Sequence, residues 1–100
     1  MRVSLSEKRV IEMNSDDLSD FAETVNSRES FLKFLNHLME NYKNHKDEWD
    51  NSRLEDFLEG FLGFTTDIQG YYDNSNQKVD VEVITWKMLT DMLTAAIVYD

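Results

Sequence analysis

Cysteine and proline are both missing from this 100-residue chain, and glycine occurs only three times. Without cysteine there is no disulfide, no thiol nucleophile and no cysteine-based zinc site. The lack also fits a cytosolic protein. Without proline, and with so little glycine, a turn-rich β architecture is disfavoured and helices are favoured. No apolar run approaches the roughly 20 residues that a membrane span needs. The start, MRVSLSEKRV, lacks the continuous apolar stretch of a secretory signal, so a cytoplasmic location is expected. Basic residues are scarce as well. Ten Lys and Arg stand against twenty Asp and Glu, a net charge of −10. Such a surface repels nucleic-acid phosphates and anionic lipid. Neither nucleic acid nor membrane is therefore expected as a partner, and a basic protein is. The same acidity also serves solubility alone.

The composition is nonetheless that of a folded domain. Hydrophobic residues make up 41%, with six Phe, four Tyr and two Trp, enough for one core but not two. Leu18, Phe21, Ala22 and Val25 fall at helical spacing after Asn14 and Ser15, which suit a helix N-cap. Asn26 and Ser27 mark the next start, followed by a stripe of Phe31, Phe34, Leu35, Leu38, Met39 and Tyr42. Ser52-Arg53-Leu54-Glu55 has the form of a capping box. It opens a run in which Leu54, Phe57, Leu58, Phe61, Leu62, Phe64, Ile68 and Tyr72 cover about half the helix circumference. This third helix is expected to be the central packing element. Thr85 can cap a last helix, whose polar arc is narrow enough to predict burial on most sides.

The expected fold is mainly α, a compact bundle of about four helices at about 15–25, 28–44, 53–72 and 86–99. Residues 1–100 form a single helical domain. Any β structure is expected to be confined to residues 1–13, a short strand or an arm, and residues 79–84, where the two could pair as a small two-stranded element. Val3 and Leu5 alternate in residues 1–13, and Val79, Val81 and Val83 alternate with Asp80 and Glu82 in residues 79–84.

Chemistry-bearing constellations are sparse. His37 and His45 are eight apart with no third ligand at metal spacing, and both read as surface histidines. The acidic run Asp73–Gln77 lacks the glycine and the terminal acid of a calcium loop, since Lys78 and Ile84 occupy those places. No phosphate-cradling glycine loop or nucleophile elbow occurs. No catalytic, cofactor-binding or metal-binding residue is assigned, no cofactor is expected, and catalysis is expected to be absent. The aromatics sit at helical spacing among acids and read as core, not as base-stacking platforms.

Two features point to binding. Asp56, Gly60, Gly63 and Asp67 share one strip of the third helix. Two interior glycines cost roughly 1 kcal/mol each relative to alanine. They serve either the close approach of another helix or a shallow trough between two carboxylates. Trp49, Tyr71 and Tyr72 look exposed and are of the types enriched at interfaces. The expected partner-binding surface comprises Glu48, Trp49, Asp50, Asp56, Asp67, Tyr71 and Asp73.

The spaced residues also carry a resemblance. They run Phe31-x-x-Phe34, then Trp49-x-Asn51-x-x-Leu54-x-x-Phe57-Leu58. Asp67-x-x-Gly70-Tyr71-Tyr72, Trp86 and Ala95-Ala96-x-x-Tyr99-Asp100 follow. Over residues 27–100 the chain resembles a family of small bacterial domains of unknown function. The family ends in Tyr-Glu where this chain has Tyr-Asp, and the segment Val79–Ile84 is more strand-like here. The chain is also similar to the acidic immunity proteins of contact-dependent inhibition systems. That resemblance implies a cytoplasmic immunity protein that binds and neutralises a cationic bacterial toxin domain, a nuclease, as a stoichiometric inhibitor. The alternative is an interaction or adaptor module unrelated to toxins.

Overall fold

Helix signals in the sequence translate directly into elements in the computed structural model, which describes residues 15–100. Helix α1 spans Ser15–Ala22, α2 Arg28–His45, α3 Leu54–Asn74 and α4 Trp86–Ala96, with a 3₁₀ turn at Lys46–Glu48. The mainly α bundle of four helices is therefore the observed fold. The first and last helices stop three residues short of their expected ends.

The caps explain where the helices begin and end. Ser27 and Ser30 form a reciprocal capping box at the start of α2. The Thr85 hydroxyl accepts from the Met88 amide at 3.0 Å and starts α4. The start of α3 differs from expectation. Arg53 is its N-cap and offers no side-chain cap, so Ser52 does not build the capping box. Ser52 instead gives its carbonyl to the Tyr42 hydroxyl at 3.0 Å. Glu55 and Asp56 in the first turn complement the helix dipole. At the other end, Asn76 adopts φ 59°. The Gln77 amide donates to the Tyr72 carbonyl at 2.9 Å and the Asn76 amide to Asp73 at 3.1 Å. This is a Schellman motif with asparagine in the left-handed position.

Among the described residues there is no strand. The expected strand at 79–84 is a turn, because Asp80 satisfies the segment locally. Its carboxylate accepts from the Glu82 amide and its carbonyl from the Val83 amide, both at 3.0 Å. Val79 and Val81 still pack on the core, whereas Val83 and Ile84 are exposed. The expected strand in residues 1–13 and the cap at Asn14 lie outside the described residues.

The centre of the bundle is α4, not α3. It packs against each of the other three helices, and its contact with α3 is the most extensive in the molecule. Leu18, Ala22, Val25, Phe31, Phe34 and Ile97 form one buried cluster around α1, α2 and the end of α4. Phe64, Ile68, Tyr72, Met88 and Met92 form the other between α3 and α4. Leu89 packs against both. Being covered on several sides, α4 must satisfy its polar groups internally. Thr90 donates back to the Trp86 carbonyl at 2.8 Å. Asp91 accepts from the Tyr72 hydroxyl and from Lys87 Nζ, both at 2.6 Å. Lys87 also reaches Glu23, just past the end of α1, at 3.7 Å. Among the described residues, no helix is long and apolar enough to cross a membrane.

Candidate protein-binding surface

The loop between the 3₁₀ turn and α3 fixes the geometry of this end of the bundle. Asn51 is its anchor. Its amide side chain donates to the carbonyls of Ala96 at 2.9 Å and Tyr99 at 2.8 Å, and its backbone amide to Ile97 at 2.8 Å. It thereby satisfies carbonyls that the end of α4 leaves open. Gly60 is what lets the two segments meet. A Cβ there would lie 2.6 Å from the Ala96 carbonyl oxygen and 2.8 Å from Asn51 Nδ2. At Gly63 a Cβ would meet the Tyr99 ring at 3.1 Å. The glycine strip is thus covered by the end of α4 and the segment that follows it, residues 96–100, and not by the packed face of another helix. The Tyr99 hydroxyl donates to Asp67, and that hydrogen bond is the main reason its phenol titrates above the ordinary range.

Each expected partner-binding residue can now be placed. Trp49 is half-buried and joins α2 to α3. Its Nε1 donates to the buried Asn41 at 2.6 Å, its ring meets Tyr42 edge-on at 5.0 Å, and it stacks on Phe57 at 5.8 Å. Glu48 and Asp50 flank it on the exposed loop, with Glu48 3.6 Å from His45. Asp56 is half-buried and faces Arg53 at 3.8 Å. These four lie near the start of α3. Asp67, Tyr71 and Asp73 lie near its end. At 100° per residue, Asp56 and Asp67 stand about 20° apart around the helix, whereas Asp73 is about 120° from Asp67. Asp73 accepts from Gln69 at 3.1 Å. Tyr71 is exposed, with ring contacts to Phe64 and Tyr72. Tyr72, expected to look outward, is 2% exposed and belongs to the core. The seven residues therefore fall into two groups at opposite ends of α3.

His37 also differs from expectation. It is half-buried, with its ring edge-on to Phe21 at 4.8 Å, and burial lowers its pKa. Among the described residues, no three His, Asp or Glu side chains are placed to hold a metal ion.

A second surface went unread in the sequence. Leu54, Leu58 and Leu62 form a row along α3 and are 73%, 55% and 68% exposed. Leu54 is also the lip of an apolar groove of about 520 Å³ between α2 and α3, lined by Leu38, Met39, Tyr42, Trp49 and Phe57. Met39, across the groove, is 57% exposed. The signal was present in the half-circumference apolar arc of α3. An arc that wide exceeds what one neighbouring helix can cover. A separate cavity of about 350 Å³ opens between α1, α3 and α4 beside Asp91. Its carboxylate is already engaged by Tyr72 and Lys87, so the arrangement there is structural.

Trp49, Asn51, Gly60, Asp67 and Tyr99 all serve to tie the α2–α3 loop, α3 and the end of α4 together. Comparison with curated proteins and with solved structures gave no match. The model of a family of unknown function (DUF7660) covers residues 27–100, well over half the chain, and the chain belongs to that family.

Proposed function

We propose that this chain acts by binding a basic protein in a stoichiometric complex. In its sharper form the reading makes it an immunity protein that neutralises a cationic bacterial toxin domain. The observation that carries the binding reading is the row of Leu54, Leu58 and Leu62, held in water by an acidic protein. Scattered apolar residues on a surface need no explanation, but a contiguous row beside an apolar groove marks an interaction site. The toxin partner rests on the net charge of −10, which suits a cationic partner. Long-range attraction would steer a basic partner, and burial of apolar surface would hold it.

Cross-linked capture from the native cells, followed by reconstitution with the purified partner, tests this. The expected result is an equimolar complex with a basic protein. Its association rate should fall as salt screens charges beyond a Debye length of about 8 Å at physiological strength. An on-rate that is flat across salt concentrations contradicts the electrostatic part. For the sharper form, co-expression should restore growth to cells that express the captured protein. Failure of rescue retires the toxin partner and leaves the binding reading in place.

A further inference from the structure

We draw no further inference here: the strongest candidate, the apolar groove between α2 and α3 with the exposed row of Leu54, Leu58 and Leu62 beside it, belongs to the surface already described, and nothing in the structure shows what covers it.

Discussion

Gly60, Phe64, Ile68 and Tyr72 line one side of α3 and are buried, while Leu54, Leu58 and Leu62 line another and stand in water. Both sides are rich in large apolar side chains, so hydrophobicity alone does not separate them. What separates them is the neighbour. The first side meets α4 and the chain end at residues 96–100, with polar groups satisfied across the contact. Among the described residues, the second is flanked by the edge of α2 and by Trp49, and its leucines stay exposed. A helix can thus carry one apolar face for its own fold and keep a second uncovered, and only the second remains available to another molecule.

Substitutions on the two sides should diverge, and the largest effect should come from Gly60→Ala. The new methyl meets the Ala96 carbonyl oxygen and the Asn51 amide, both fixed in the clamp at the end of α4. Alanine's helix propensity favours the change by about 1 kcal/mol. Overpacking against backbone that cannot yield should outweigh that and leave a net loss of about 1–3 kcal/mol. Urea denaturation monitored by circular dichroism measures it. Gly63→Ala sharpens the point, since its neighbour is the Tyr99 ring. A ring can shift by a few tenths of an ångström, so the stability of that variant should lie much closer to the parent.

Tyr72→Phe comes next. It removes the hydroxyl from Asp91, which keeps Lys87 as its partner. Losing one hydrogen bond to a buried charged group should cost about 1–3 kcal/mol. The same residue makes a pH signature. Burial first, and then the hydrogen bond to Asp91, raise the Tyr72 pKa above its ordinary 10.0. Its contribution is therefore complete below pH 10 and is lost as the pH rises further, because the unfolded chain ionises first. Melting temperatures measured from about pH 9 to 11 should fall more steeply for the parent than for Tyr72→Phe. Equal slopes would mean that Tyr72 is not held as the neutral phenol.

The smallest effect on stability should come from the outward side. Leu58→Lys should stay within about 0.5 kcal/mol of the parent, as exposed substitutions do. A change in binding without a change in melting temperature would set the two sides apart most cleanly.

These contrasts also show what a sequence can carry. The four helices were legible because 3.6-residue periodicity and local caps such as Ser27 and Thr85 act within a few residues. The role of Gly60 was legible as one of two readings, because glycine in a helix interior demands some close contact without saying whose. The turn at residues 79–84 was hidden, since alternating valines look the same whether Asp80 bonds to its own segment or a second strand pairs with it. The leucine row was hidden for a related reason. Periodicity reports which residues share a face, and the number of helices available to cover that face is a property of the whole bundle. Tyr72 was legible both as part of the apolar run of α3 and as an outward aromatic, and what decides between the two, its hydrogen bond to Asp91, lies 19 residues away.

The most direct test of the divided helix is a single equilibrium unfolding curve for the triple variant Leu54→Lys, Leu58→Lys, Leu62→Lys. If these leucines are surface kept for a partner, the variant folds, and its losses sum to no more than about 1.5 kcal/mol. If they are instead part of the folding core, each buried charge is costly and the variant is unfolded in the absence of denaturant. An unfolded triple variant would contradict the account.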